Sequence, residues 1–120
     1  MPYHAWFHLC TESDIAVPFQ TLAEAVAFVK SFMLHNVRDY KFLEDIELPT
    51  DDDQTHDIAV GSMVQAMVTN SLEKQRPYFG QIEIMEPKKA VEALLWRLEQ
   101  QEYQAAGAHN AHNAYINAHN

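Results

Sequence analysis

The chain has 120 residues, of which 48% are hydrophobic and 21% charged, a composition that fits one globular domain and excludes a disordered protein. Its formal charge of −9, from 17 acidic and 8 basic residues, excludes nucleic-acid binding through clustered Lys and Arg. The sequence has no apolar run near the ~18 residues of a membrane-spanning helix and no signal-peptide features at its N-terminus, so we expect a cytoplasmic protein.

The first predicted element is a strand over Tyr3–Leu9. His4, Trp6 and His8 alternate there with apolar residues, and a period of two with aromatic residues is typical of a strand. We expect a loop to follow, because polar residues and a proline come next: Thr11, Glu12, Ser13, Asp14 and Pro18.

A helix is predicted to begin after Thr21. Thr21 and Glu24 have the spacing of a capping box, which satisfies backbone N–H groups at the start of a helix. Apolar residues then recur at helical spacing, at Leu22, Ala25, Val26, Val29, Phe32 and Met33. The helix should end near His35, because Asn36 is favourable at a helix C-terminus.

Two strands are predicted on either side of an acidic turn at residues 50–55. In the first, apolar side chains recur mostly at even positions before Pro49: Tyr40, Phe42, Ile46 and Leu48. The second, His56–Gly61, would return antiparallel to it. The alternative for this segment is a helix capped by Asp57, but Gly61 would weaken a helix interior by ~1 kcal/mol, which favours the strand.

The last third of the chain is predicted to form helix, strand and helix. The first of these helices covers Ser62–Lys74, with Ser62 and Gln65 as a capping box. Its apolar stripe consists of Met63, Val64, Met67, Val68 and Leu72. Tyr78–Met85 alternates like a strand, and Pro87 suits the first turn of the final helix. The buried stripe of that helix would be Ala90, Val91, Leu94, Leu95 and Leu98, with Trp96 outside it.

The predicted order is therefore β-α-β-β-α-β with an added C-terminal helix. Two βαβ halves of this kind pack as a ferredoxin-like plait, a two-layer α+β fold with four antiparallel strands and helices on one face. If residues 56–61 were helical, a three-stranded α/β sandwich would remain. We assign residues 1–106 to this single domain and residues 107–120, which repeat Ala, His and Asn, to a low-complexity tail.

Most of the net charge lies within residues 39–57. Eight acidic residues and one basic residue, Lys41, give this segment −7 of the total −9. The acidic residues are Asp39, Glu44, Asp45, Glu47, Asp51, Asp52, Asp53 and Asp57. A local field of this kind attracts a basic protein and speeds association.

The acidic segment does not match a calcium-binding EF-hand loop. Asp51, Asp53 and Asp57 have the spacing of three of its ligands. His56, however, stands where the loop needs glycine, and Ser62 stands where it needs a bidentate glutamate. We therefore expect no calcium site of this type.

The histidines and the single cysteine do not predict a metal or catalytic site either. His4 and His8 would lie ~13 Å apart along a strand, which is too far for one zinc ion to bridge. His109 and His112 in the tail lack further ligands nearby. Cys10 cannot form an intramolecular disulfide and has no positioned base beside it in the sequence.

These observations predict a non-enzymatic, acidic protein-interaction module without a cofactor, an inhibitor or DNA mimic that binds a basic protein partner. Its partner-binding residues would be Glu44, Asp45, Glu47, Asp51, Asp52, Asp53 and Asp57. The alternative is a dimeric plait that binds a small molecule or acts as a cofactor-free enzyme. Its site would be an exposed sheet face with His4, Trp6 and His8, facing Tyr78 or Phe79. Both a monomer and a homodimer remain open.

Overall fold

A computed structural model of the protein describes residues 3–9, 13–43, 55–74 and 80–101. These residues form an α+β fold with six strands in one mixed sheet and three helices. The strands are β1 (Tyr3–Leu9), β2 (Ser13–Phe19), β3 (Lys41–Phe42), β4 (Thr55–Gly61), β5 (Val64–Thr69) and β6 (Gln81–Ile84). Helix α1 spans Leu22–Asn36, while a short helix α2 includes residues 72–74 and helix α3 includes residues 87–101.

The strand order across the sheet is β3-β4-β5-β1-β2-β6. Neighbouring strands are antiparallel, except that β6 runs parallel to β2. Strand β1 is central: Trp6 pairs with Ala16 of β2 on one side and with Met67 of β5 on the other. The register of β1 therefore decides which side chains of three strands share a face.

One face of the sheet, which we call the helix face, carries the larger apolar core. Ala5, Phe7 and Leu9 of β1 pack there with buried residues of both long helices. Phe7 contacts Phe32 of α1 edge-to-face, with ring centroids 5.0 Å apart. Three residues of α3 complete this core, namely Ala90, Leu94 and Leu98.

The opposite face, which we call the Trp6 face, has a smaller buried cluster. Trp6 is fully buried there beside Ala16 and Met67, and Leu72 and Ile82 pack against the same cluster. The predicted alternation of Tyr3–Leu9 is thus confirmed, because His4, Trp6 and His8 point away from the helix face.

Helix α1 confirms its predicted capping box. The Thr21 hydroxyl oxygen accepts a hydrogen bond from the Glu24 backbone N–H at 3.2 Å and donates to the Glu24 carboxylate at 2.8 Å. At the other end the backbone N–H of Val37 donates to the Met33 carbonyl at 3.1 Å. Sequence and structure agree on this helix to within one residue.

Helix α3 is fixed to the sheet by an arginine. Arg97 donates to the Ser13 backbone carbonyl at 2.9 Å and to the Glu83 carboxylate at 2.7 Å, so one side chain joins α3 to β2 and β6. Leu95, which the sequence placed in the buried stripe, is 38% exposed, and Trp96 is 62% exposed. None of the described helices is both long enough and apolar enough to span a membrane.

The predicted loop after β1 is wrong, because Ser13–Phe19 forms β2. The polar side chain of Asp14 favoured a loop, but it is buried and hydrogen-bonded within the sheet. Pro18 lies beyond the residues of β2 that pair with β6, at a position where a missing N–H is tolerated. Ile15 and Val17 face the main core and supply the apolar area that holds the strand in place.

The predicted second helix is also wrong over most of its length. Gly61 pairs with Val64, so only Ser62 and Met63 form the turn between β4 and β5. Met63 has a positive φ of 63°, which a right-handed helix does not allow. Strand β5 lies between two other strands and is buried on both faces, so it is apolar almost throughout. The sequence of such a strand has no periodicity that distinguishes it from a buried helix, which explains the wrong prediction.

The ferredoxin-like plait is therefore not the observed fold, although the α+β class is. Two predicted elements have a different secondary structure, and they add β2 and β5 to the sheet. The strand His56–Gly61 is confirmed within β4, and β4 pairs antiparallel with β3 as expected. The predicted strands at residues 40–48 and 78–85 fall partly outside the described residues, and the tail at residues 107–120 lies wholly outside them.

Candidate functional site

The acidic residues predicted to bind a partner lie mostly outside the described residues. Asp57 is the described member of that set, and it occupies an exposed position in the middle of β4. The other six fall within residues 44–54, as Glu44, Asp45, Glu47, Asp51, Asp52 and Asp53. Asp39 and Lys41, which flank this segment, are both exposed.

The structure brings together a different group of residues, centred on the buried carboxylate of Asp14. Only 1% of Asp14 is exposed. One carboxylate oxygen accepts the indole N–H of Trp6 at 2.9 Å, and the other is 2.8 Å from Nδ1 of His8. Burial of a carboxylate is unfavourable unless it is hydrogen-bonded, and these two bonds meet that need.

The direction of the second bond fixes the chemistry of the imidazole. An ionised carboxylate can only accept, so Nδ1 of His8 is the donor. A neutral His8 then carries its lone pair on Nε2, which makes Nε2 a hydrogen-bond acceptor and a base. The His8 side chain is 36% exposed, so this buried pair reaches the surface through the imidazole.

A second hydrogen-bonded pair continues the line of polar residues across the sheet. His8 is paired in register with Gln65 of β5, so the two side chains share the Trp6 face. The Gln65 side-chain amide donates to the Asp57 carboxylate of β4 at 2.8 Å. Asp14, His8, Gln65 and Asp57 thus form one polar row across four adjacent strands, which we call the acceptor row.

Hydroxyl groups gather at the other end of the Trp6 face. The Thr55 hydroxyl donates to the Thr69 hydroxyl oxygen at 2.8 Å, and Thr69 and Ser71 hydroxyls lie 3.2 Å apart. The Ser71 backbone N–H also donates to Thr69 at 3.0 Å. Thr69 and Ser71 are buried, so we interpret this cluster as a structural tie between β4, β5 and the chain leading to α2.

The alternative ligand-binding face needs a correction. Trp6 was expected to line an exposed face, but it is fully buried and its N–H is bonded to Asp14. His4 and His8 are partly buried. Tyr78 and Phe79, expected opposite them, fall outside the described residues. Of the three residues proposed for this face, His8 is the one whose geometry suits contact with a ligand.

Asp14 is the functional candidate that sequence reasoning missed. A signal was present, because His8 and Asp14 flank a short polar stretch between two segments that each contain apolar residues. Had residues 13–19 been read as the second strand of a hairpin, Asp14 would have fallen opposite His8. Polar residues and Pro18 favoured the loop interpretation instead.

A cavity of about 260 Å³ lies between α1 and α3, lined by Phe28, Ser31, Phe32, His35, Asn36 and Val91. Its polar groups already bond within α1: His35 Nδ1 donates to the Ser31 carbonyl at 2.7 Å, and the Asn36 amide donates to the Phe32 carbonyl at 3.1 Å. The cavity therefore offers little directional chemistry to a ligand.

In the part of the chain that the structure describes, no three His, Cys, Asp or Glu residues are grouped so that they could hold a metal ion. Comparison with protein-family models, with curated proteins and with solved structures finds no match to this chain.

Proposed function

We propose that this protein is an acidic interaction module that binds a basic protein partner through residues 44–57. The observation that supports the proposal is the concentration of charge: residues 39–57 carry eight acidic residues and one Lys, or −7 of the total −9. Such a local field raises the association rate with a cationic surface and disfavours nucleic acid as a direct ligand.

The pairing of β3 with β4 adds to this argument. Lys41 pairs with Val60 and Phe42 with Ala59, and the Leu43 backbone N–H donates to the Ile58 carbonyl at 3.2 Å. The described residues that precede and follow residues 44–54 therefore lie at neighbouring antiparallel strands. We propose that the six acidic residues between them act together with Asp57 of β4.

A basic partner of this kind would present a cationic groove, such as the one with which an enzyme or regulator holds DNA or RNA. Six carboxylates that are close together in the sequence would compete for that groove in the manner of phosphates. The module would then act as an inhibitor or DNA mimic. No chemical step by this chain is required for that role.

The second candidate function is ligand binding or cofactor-free proton transfer on the Trp6 face. The Asp14–His8 bond favours it, because a carboxylate that holds Nδ1–H leaves Nε2 positioned to accept a proton. This role needs a substrate beside His8 and predicts that a metabolite raises the melting temperature. The interaction module predicts a monomer or dimer whose melting temperature is unaffected by a metabolite panel.

Charge reversal tests the leading proposal. The variant Asp51→Lys/Asp52→Lys/Asp53→Lys should capture much less basic partner from the source cell at low salt than the unmodified chain does. Raising the salt should weaken capture by the unmodified chain, because screening shortens the Debye length from about 10 Å at 0.1 M to about 3 Å at 1 M.

A matched control changes the same amount of charge elsewhere. Glu86, Glu92 and Glu99 are exposed at the start of α3 or along it, and their replacement by Lys also changes the net charge by +6. The proposal expects this control to retain the same partner at low salt. Equal loss in both variants would indicate a response to net charge, and unchanged capture by the Asp51–Asp53 variant would eliminate residues 51–53 as the contact.

A further inference from the structure

Strand β6 forms one edge of the sheet, because β2 is its single neighbouring strand among the described residues. The Met85 backbone N–H donates to the Ala16 carbonyl at 3.0 Å, so the backbone of residue 85 faces β2. The N–H and C=O groups of one residue lie on the same side of a strand, and successive residues alternate sides. Glu83 therefore also faces β2, whereas Ile82 and Ile84 direct their N–H and C=O groups away from the sheet.

Exposed apolar side chains accompany these outward backbone groups. Ile82 is buried in the cluster of the Trp6 face, and Ile84, two residues further along that face, is 48% exposed. Helix α3 runs beside the same edge, because Arg97 bonds to Glu83 of β6, and the neighbouring Trp96 is 62% exposed. An edge strand of this kind is a template for pairing with another strand. We propose that β6 pairs with β6 of a second copy of this chain and so forms a homodimer.

The sequence of β6 is complementary to itself in an antiparallel arrangement. A two-fold axis at Glu83 places Ile82 of each copy opposite Ile84 of the other. These residues all direct their backbone groups outward, and each such pair exchanges two N–H···O=C bonds, so the two pairs give four. The isoleucine side chains of each pair share the Trp6 face, where the exposed part of Ile84 would be covered by Ile82 of the second copy.

The distribution of charge allows two acidic chains to meet at this edge. Residues 39–57 carry −7 of the net charge of −9, which leaves −2 for the rest of the chain. Lys41 of β3 and Asp57 of β4 belong to that segment, and these strands lie at the opposite end of the sheet from β6. Glu83 of one copy would face Glu83 of the other, but each carboxylate lies 2.7 Å from a guanidinium nitrogen of Arg97, which offsets its charge.

The homodimer would have one continuous sheet of twice six strands, with β3 at both outer edges. Each copy of residues 44–54 would follow β3 at its own end of that sheet, so the dimer would offer two separate acidic segments. The dimer goes beyond the proposed function and does not depend on it, because the pairing of β6 involves none of the residues expected to bind a basic partner.

Sedimentation velocity of the complete chain, from about 1 μM to about 300 μM, measures the association. We expect a reversible dimer with a dissociation constant on the order of 10 μM, as suits a small interface built on one pair of short strands. At the highest concentrations the sedimenting species should have twice the mass of one chain.

The variant Ile84→Pro tests the backbone bonds. Proline removes an N–H that faces away from β2, and it is tolerated on the outer side of an edge strand. By symmetry the dimer loses two hydrogen bonds, so its dissociation constant should rise at least about tenfold. Urea unfolding of the variant shows whether the fold itself is retained.

A pair of charge-matched variants tests the side-chain contact. Ile84→Lys and Leu34→Lys each place one positive charge on an exposed apolar residue, and Leu34 lies on α1 with 58% exposure. Lower net charge by itself would favour association in both. We expect Ile84→Lys to weaken the dimer at least about fivefold, because an ammonium group would lie against Ile82 of the second copy. Leu34→Lys should associate at least as strongly as the unmodified chain.

A chain that stays monomeric at every concentration would overturn the inference. Equal weakening by the two lysine variants, or a dimer that Ile84→Pro leaves unchanged, would place the contact elsewhere and also reject pairing through β6. If Ile84→Pro does not fold, the lysine pair decides the question. Because the proposed function is tested by partner capture with the Asp51–Asp53 reversal, either proposal can fail while the other stands.

Discussion

The two faces of the sheet use opposite chemistry to bury the same strand. On the helix face, Phe7 and its neighbours in β1 pack in one apolar core with residues of α1 and α3. On the Trp6 face, the same strand buries an indole whose N–H requires a partner, and a carboxylate that is 1% exposed provides it. The helix face is held mainly by buried apolar area, with Arg97 as a polar tie to α3, whereas the smaller apolar cluster of the Trp6 face includes directed hydrogen bonds to a buried carboxylate.

The difference matters for function because directed bonds can extend to the surface, whereas apolar packing cannot. A hydrogen bond between Trp6 and Asp14 holds both side chains in place, and Asp14 also orients His8, which is partly exposed. Gln65 and Asp57 continue the row across β5 to β4, where Asp57 is exposed. The Trp6 face therefore combines a buried apolar cluster with polar groups that are oriented by hydrogen bonds.

Of the substitutions that test the difference between the two faces, Asp14→Ala should have the largest effect on stability. The substitution leaves the Trp6 N–H buried without its acceptor and frees the His8 ring, so the free energy of unfolding should fall by about 3 kcal/mol. Urea unfolding followed by tryptophan fluorescence measures this directly. Asp57→Ala, at an exposed position, should change stability by less than about 0.5 kcal/mol.

A small cost for Asp14→Ala would contradict the account of the Trp6 face. If the variant lost less than about 1 kcal/mol, Asp14 would not be a stabilising partner of Trp6. The buried carboxylate would then be retained for a reason other than folding.

The sequence predicts the helices at both ends of the main core well, because their signals are local. Thr21 with Glu24 and Pro87 are start signals that act within one turn, and both helices begin where these signals place them. The strands are harder to predict. Whether residues 13–19 and 64–69 form strands depends on pairing with other parts of the sheet, which the local sequence does not reveal. Asp14 fits a strand because Trp6 and His8 supply its hydrogen bonds.

The candidate site shows the same limit. Composition alone locates the acidic residues, since charge is read directly from the sequence. The acceptor row is visible only once β1, β2, β4 and β5 are in register, because each of its four members comes from a different strand. Asp57 belongs both to the acidic set predicted from the sequence and to the acceptor row seen in the structure.

A smaller effect is expected on the helix face from Gly61→Ala. A Cβ at Gly61 would lie 2.3 Å from a methyl group of Val37 and 3.1 Å from Met33, so α1 and the β4–β5 turn would have to separate. We expect a loss of about 2 kcal/mol from this overpacking, measured by urea unfolding.

The double variant Gly61→Ala/Val37→Ala tests whether steric overlap with Val37 causes the loss of stability in Gly61→Ala. Removing the Val37 methyl groups makes room for the new Cβ, so the double variant should lose less stability than the sum of the two single variants. Strict additivity would show that close packing at Gly61 is not the constraint. The helix face would then tolerate change better than its apolar contacts suggest.

The most direct test of the account is the position of the proton on His8. At a pH where the imidazole is neutral, long-range proton–nitrogen correlation spectra should show the proton on Nδ1 and the lone pair on Nε2, since Asp14 accepts from Nδ1. A proton on Nε2 would contradict the account. The Asp14–His8 bond in which Nδ1 donates would then be absent, and the buried carboxylate would not orient the imidazole in this way.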